Sequence, residues 1–449
     1  MLHLFRTILI VCAFSTGLFA QPVDCFQKIA PDVLRSDFLL LRDSLQKRHP
    51  SLYRFNSKVT IDHILDSCQG SIRDSMTVGQ FYLLTSFVIA SIGDGHANCR
   101  LSGPMMNNFM RNGKVFPAMV LFIHERAYVF CCKQNDGLAG AELLSINGRS
   151  MEEIIRRLYR YISTDGNIQS RRNWEMPEFF HLLYSMVYGM EGSYIVTCKT
   201  PGGEVRTVTL QADHLHDFIC ANPFPRPSRY LQLSYTSDNI AILRIGTFFD
   251  GFLQQTGENF TSFLDSAFND IKARKVKKLV IDGRRNQGGN DHNGDILYSY
   301  LAQRPFMYYA TREMVSGKVP ESQDHELSLH LPKENSYSGK VYFLMDGRSF
   351  SATAEFSAIA RSNRRGEFIG EETGGAYCGN TSGGELMLSL PNTQISCRIP
   401  LVRYTMAVKE NKYMDRGVIP DHVVYPTVSD VIAHKDGQME YTLQLAGKD

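Results

Sequence analysis

Leu279-Val-Ile-Asp-Gly-Arg-Arg-Asn-Gln-Gly-Gly-Asn290 reads as a buried strand that runs into paired glycines. Strands and helices alternate on either side of it. Ile240–Ile245 precedes it as a strand, and Glu258–Ala273 as a helix with a Phe260, Phe263, Leu264, Phe268 stripe. A helix around Ile296–Leu301, the strand Val341–Met345, a helix at Ala352–Arg361 and the strand Phe368–Gly370 follow. This alternation predicts an α/β layer with largely parallel strands. Leu386–Leu390 and Ile395–Val402, joined by Pro391-Asn392-Thr393, read as an antiparallel hairpin appended to that layer. The basic run Lys272–Lys278 lies between a helix and a strand, where it complements the helix dipole in solvent.

Upstream the texture changes twice. From about 114 to 213 the chain shows short β-like runs: Val120–Phe122, Tyr128–Cys131, Tyr194–Thr200 and Val205–Leu210, the last two separated by Pro201-Gly202-Gly203. Met151–Tyr161 and Glu178–Tyr188 look helical within it, the second with Pro177 just before. That composition suggests a separate β-rich module. From Asp37 to about Leu101 apolar residues recur at helical spacing, with breaks at Pro50 and Thr77, the latter an N-cap before Val78. The first 20 residues carry His3 and Arg6, an apolar run from Thr7 to Phe19, and Ala20 before Gln21-Pro22. The run is too short to span a bilayer and reads as a cleavable signal peptide, so the mature protein is expected to be exported and free of stable membrane insertion. The domain division expected is 1–20 signal peptide, 21–112 helical cap region, 113–213 β-rich module and 214–449 α/β domain.

The 449 residues are 43% hydrophobic and 21% charged, enough apolar content for a real core. Lys+Arg at 48 against Asp+Glu at 46 gives a formal charge of +2, which disfavours a nucleic-acid partner. Of the ten cysteines, Cys12 lies in the leader, and the nine others show no CxxC spacing. A zinc site is therefore not expected, nor any other cofactor.

In open α/β sheets, ligands gather at the carboxyl ends of the parallel strands. Two stretches fall there. The Gly288-Gly289 turn lets backbone N–H groups approach a developing negative charge, or it is a plain strand-to-helix turn. Val341-Tyr-Phe-Leu-Met-Asp-Gly-Arg-Ser-Phe-Ser-Ala-Thr-Ala-Glu-Phe356 ends a strand, turns, and opens a helix at Ser351. A hydroxyl at that helix mouth is either a nucleophile or an N-cap, although Glu355 falls one residue too late for a capping box. Ile92-Gly-Asp-Gly-His96 places a histidine off any apolar stripe, a candidate general base. His292 is the second candidate. Asp415, in Asp-Arg-Gly-Val-Ile-Pro-Asp421, is a carboxylate that could orient an imidazole or a solvated loop residue. Asp291-His-Asn-Gly-Asp295 imitates a calcium loop but has Ile296 where glycine is required.

Taken in order, Asp-Gly-His (94–96), Gly-Leu-Ala-Gly-Ala-Glu-Leu-Leu-Ser-Ile-Asn-Gly (137–148), Asp282 with Gly288-Gly289, Phe-Ser-Ala-Thr-Ala-Glu-Phe (350–356), Ile-Gly-Glu-Glu-Thr-Gly-Gly (369–375) and Gly-Val-Ile-Pro-Asp (417–421) resemble the C-terminal processing, or tail-specific, serine peptidases. That family includes the tricorn core protease and relatives of the interphotoreceptor retinoid-binding protein. The resemblance implies a crotonase/Clp-protease-like α/β catalytic domain, an N-terminal helical cap and an inserted PDZ-like module. It also implies Ser351 as nucleophile, and the backbone N–H groups of Gly288, Gly289 and Ala352 as oxyanion hole. The family's Ser–Lys arrangement has no lysine here, since its place falls at about Ala376. In the tricorn-like arrangement His96 matches the base, Gly95 stands in place of the preceding serine, and Asp415 lies near the place of the orienting acid. The expectation is an exported serine endopeptidase acting on polypeptides, with the PDZ-like module capturing substrate C-termini. The alternatives are a non-catalytic peptide- or apolar-ligand-binding protein on the same scaffold, and a pure PDZ adaptor.

Overall fold

The computed structural model describes residues 25–220, 222–320, 325–409 and 414–448, so the expected signal peptide lies outside the described residues. Three helices come first: α1 (Pro31–Arg48), α2 (Lys58–Ser71) and α3 (Val78–Ile92). Leu34, Phe38, Leu41 and Leu45 line the buried stripe of α1. Thr77 caps α3 as its sequence predicts. Its hydroxyl accepts the Gln80 N–H while Gln80 Oε1 accepts the Thr77 N–H, a complete capping box. The chain then turns through Asp94–His96 into a short strand, β1 (Asn98–Arg100).

The β-rich stretch comprises β2 (Met119–Ile123), β3 (Arg126–Cys131), β4 (Glu142–Ile146), helices α4 (Met151–Leu158) and α5 (Gln169–Tyr188), then β5 (Ser193–Lys199) and β6 (Val205–Gln211). Its strands form an antiparallel sheet in the order β6-β5-β4-β3-β2, which leaves β2 at an edge. Helix α5 starts earlier than the sequence suggests and continues through Pro177. A proline removes one backbone hydrogen bond. The buried face carrying Met176, Phe180, Leu183 and Tyr184 outweighs that loss. This sheet and the three leading helices share one apolar core, which also takes in Leu390, Ile395 and Ile399 from far along the chain.

Next come β7 (Leu231–Tyr235), β8 (Ile240–Ile245), α6 (Phe260–Ala273), β9 (Lys278–Asp282), α7 (Asp291–Ser299), β10 (Tyr309–Met314), β11 (Lys340–Met345), α8 (Ala352–Ser362), β12 (Glu367–Gly370), β13 (Thr381–Ser389), β14 (Ser396–Met406), β15 (His422–Val423) and α9 (Gly437–Lys448). The main sheet runs β7-β8-β9-β11-β12-β15, parallel throughout except for β7 against β8. Both faces are covered. Leu279, Ile281, Val341 and Phe343 point into the core under α6 and α8, while Val280, Tyr342 and Leu344 meet Ala446 of α9. Burial on both faces is why these strands read as unbroken apolar runs.

The hairpin β13–β14 forms, but not as an appendage of that layer. It belongs to a second sheet in which β14 pairs antiparallel with β10 on one stretch and with β1 on another. The register Ser396↔Arg100, Cys397↔Cys99 and Arg398↔Asn98 fastens the chain just after His96 to the C-terminal half of the protein. Among the described residues no helix is long and apolar enough to cross a membrane.

Candidate active site

Strand β11 ends at Met345, and the turn behind it is tied to the turn behind β9. The Asp346 carboxylate accepts the N–H groups of Arg285, Arg348 and Ser349, and the Ser349 hydroxyl donates to the Gly283 carbonyl. The Phe350 N–H donates to the Asn286 carbonyl. The next residue, Ser351, has φ 53° and ψ −129° and stands at the N-cap position of α8 without any side-chain cap bond. A left-handed φ on a non-glycine residue costs about 1–3 kcal/mol. An ordinary N-cap has extended backbone and a bonded hydroxyl. The capping reading therefore fails, and the strained turn presents, at a helix mouth, a hydroxyl that makes no cap bond.

Gly288 and Gly289 face this turn. Their φ values are +91° and +142°. A Cβ on Gly288 would sit 2.8 Å from Ser351 Cβ and 2.9 Å from Ala352 N, and one on Gly289 2.1 Å from Phe249 N. Only glycine allows both approaches. The Gly288 N–H is already taken, donating to Asn286 Oδ1 at 2.9 Å, which corrects its expected place in the oxyanion hole. Gly289 pairs with Phe248 through the Gly288 carbonyl and the Asn290 N–H, which leaves its own N–H unused by the pairing. The N–H groups of Gly289 and Ala352 thus find no acceptor among the described residues.

His96 arrives from the N-terminal region. Its ring stacks on Phe350, the neighbour of Ser351, with centroids 4.5 Å apart and 28° between planes, and the Arg171 guanidinium lies over the same Phe350 ring. Gly95 is close-packed here: a Cβ would come within 3.0 Å of the Phe350 ring and 3.2 Å of Asp165 Oδ1. His96 is 6% exposed, and neither ring nitrogen has a hydrogen-bond partner among the described residues. Burial pushes its pKa down to about 4, aided by the Arg398 and Arg171 charges and opposed by the Asp94 carboxylate. His96, Ser351, Gly289 and Glu355 line one cavity of about 660 Å³. The structure thus brings the two principal sequence candidates to one place.

It does not bring Asp415 or His292 there. The Asp415 carboxylate accepts from Asn167 Nδ2 at 2.9 Å and is absent from the cavity wall. His292 faces Glu326 and Asp295 at 3.6 and 3.8 Å, also off that wall. The carboxylates beside His96 are instead Asp94 and Asp165, which sequence reading had not assigned. One ligand-type atom from each of the three residues lies within 4.8 Å of the others. Asp94 Oδ1 accepts the His96 backbone N–H, while Asp165 accepts the Gly95 N–H on one oxygen and the Ala376 N–H on the other. On the far side, His49 Nε2 stands 2.9 Å from Asp94 Oδ2, hydrogen-bond distance with the ring N–H off the oxygen's direct line. His49 Nδ1 accepts the Ser51 N–H, so the ring's proton sits on Nε2, toward Asp94. Protein N–H groups donate to three of the four carboxylate oxygens and the His49 ring stands beside the fourth, so the two carboxylates are tied into the protein around the imidazole.

Burial would raise the Asp94 pKa, but His49 and His96 outweigh it and hold it low. Burial, then the Asp94 charge, lifts Asp165 to about 6. Glu355, one turn after Ser351, accepts from Tyr309 Oη at 2.7 Å and Asn380 Nδ2 at 2.5 Å. Burial and the nearby Asp291 charge raise its pKa to about 7. The adjacent Asp-Gly-His letters were the available signal for Asp94. His49 and Asp165 had none, because only the fold brings them near.

Residues 239–424 match the profile of peptidase family S41. The chain carries a peptidase family S41 domain. With that domain goes the serine-type peptidase class, whose substrates are polypeptides. The fold agrees. Mature CPAF complexed with lactacystin is similar at TM-score 0.63 and 15% identity, over 92% of this chain and 97% of that one. Mature CPAF alone is similar at TM-score 0.61 and 14% identity, over 92% and 95%. A Parabacteroides merdae protein classed as a peptidase is similar at TM-score 0.51 and 16% identity, over 93% and 96%.

Proposed function

We propose that this S41 peptidase is an exported endopeptidase that cleaves polypeptides through an acyl-enzyme at a Ser351–His96 centre. One observation carries the reading. A strained, uncapped serine shares a cavity with a buried imidazole whose nitrogens both lack a hydrogen-bond partner among the described residues. In the reaction, Ser351 Oγ attacks the scissile carbonyl carbon while His96 takes the hydroxyl proton. The carbonyl oxygen, now negative, receives the N–H groups of Gly289 and Ala352, and the α8 dipole adds to that field. His96 returns the proton to the leaving amine, and the C–N bond breaks. A water molecule, deprotonated by the same imidazole, then releases the acyl group. Asp94 and Asp165 hold His96 in place, the task first expected of Asp415.

The antiparallel sheet takes the PDZ-like part in this reading. Its edge strand β2 and helix α5 flank an apolar cavity of about 320 Å³ that includes Phe122, Trp174 and Phe224. An extended polypeptide, entered by its C-terminus, adds as a further strand there. Export is supported by the Cys131–Cys220 disulfide, since such bonds persist in oxidising compartments. The division into cap, PDZ-like module (113–213) and catalytic domain (214–449) belongs to the same proposal.

A fluorophosphonate probe tests the nucleophile. The expected outcome is labelling of the wild type and none of Ser351→Ala. Equal labelling of both would refute it. Peptide binding with no cleavage and no labelling would favour the non-catalytic alternative.

A further inference from the structure

Cys99 and Cys397 are register partners across β1 and β14, and their Sγ atoms are 2.6 Å apart. Two unbonded sulfur atoms do not rest that close, and a small side-chain adjustment reaches the ~2.05 Å of a disulfide bond. Both side chains are buried, at 6% and 0% exposure, so no solvent or other residue accounts for the approach. We infer that Cys99 and Cys397 form a disulfide that staples the segment carrying His96 to the sheet of the C-terminal half.

The placement gives the bond a function. Cys99 lies three residues after His96, and β1 is a strand of only three residues, so few backbone bonds hold it. A cross-link there fixes the position of the imidazole against the Phe350–Ser351 turn. It also joins residues 298 apart in sequence, so it removes a large loop from the unfolded ensemble. Chemically, each thiol gives up its proton and one electron, and the S–S bond forms between Cys99 and Cys397. The electron pair and protons pass to an external disulfide, which leaves as two thiols. Cys131–Cys220 shows that the same chain accommodates such oxidation elsewhere.

The test needs no catalytic activity, so failure of the peptidase mechanism and failure of this inference are separable. The full chain is folded in a buffer of reduced and oxidised glutathione, denatured without reductant, alkylated, digested and read by mass spectrometry. The expected product is one linked pair of peptides containing Cys99 and Cys397. Alkylation of both residues, or linkage of either to another cysteine, overturns the inference, whatever the state of Cys131–Cys220. A thermal comparison supplies the second reading, made in a Cys131→Ser/Cys220→Ser background to remove the other disulfide. Reductant should lower the melting temperature of that protein by several degrees and leave its Cys397→Ala derivative unmoved. Equal shifts in the two overturn the inference.

Discussion

Replacing His49 by leucine tests whether the imidazole of His96, the proposed base, is held from behind. The side chain touches neither the cavity nor Ser351. It stands between the Ser51 N–H and Asp94 Oδ2, at 3.1 and 2.9 Å. Leucine occupies much of the space but offers neither the acceptor that the buried Ser51 N–H uses nor a polar group beside Asp94 Oδ2, which costs about 1–3 kcal/mol. Part of that cost falls on global stability. The rest falls on the position of Asp94, and through the His96 backbone N–H on the imidazole. If about 1–2 kcal/mol of it reaches the imidazole, the second-order rate of phosphonate labelling should drop about five- to thirtyfold. His49→Gln, whose amide offers one acceptor and one donor, should recover most of that loss. Adding His49→Leu to His96→Ala should cost nothing further, because the effect passes through the base. A stably folded His49→Leu protein with wild-type labelling, or a full additional loss in the double variant, would refute the reasoning.

Other outcomes follow from the same site. Gly289→Ala should lose labelling by about a hundredfold or more, because its Cβ meets Phe248 and Phe249 backbone that cannot yield and the oxyanion donor must shift; unchanged labelling would clear Gly289 of that role. The pH dependence of labelling should break near 4, where burial places His96, with the rate present above that value and lost as the imidazole protonates below it. A break at the ordinary histidine value near 6.5 would contradict the burial. Glu355 has its folded pKa raised to about 7, so its stabilising contribution is complete below its unfolded value near 4.5 and is lost as pH rises through 7. Glu355→Gln should therefore gain on the wild type by about 3 kcal/mol between pH 4.5 and 8 in denaturant unfolding, and a constant difference would count against it.

Local pattern alone determined the alternation of strands and helices from Leu231 onward, the Thr77 cap, the glycine pair and the serine turn. Each is written in neighbouring residues: apolar runs for strands buried on both faces, or glycines where a backbone approaches another. Ser351 and His96, which line one cavity, drew notice for the same reason, since each stands beside glycines or small residues in a short turn. Most of what surrounds the imidazole was not legible. Asp94 stands two residues before His96, but His49 ends α1, Asp165 precedes α5 and Cys397 lies on β14, three places that no periodicity connects. Asp415 looked suitable as a loop carboxylate near a glycine, yet its partner is Asn167. Helix α5 passed through Pro177 because its packing outweighed one missing hydrogen bond. Hydrogen bonds and burial between distant segments act only once the chain is folded, so tertiary structure alone decided that His49 and Asp165 join Asp94 around His96.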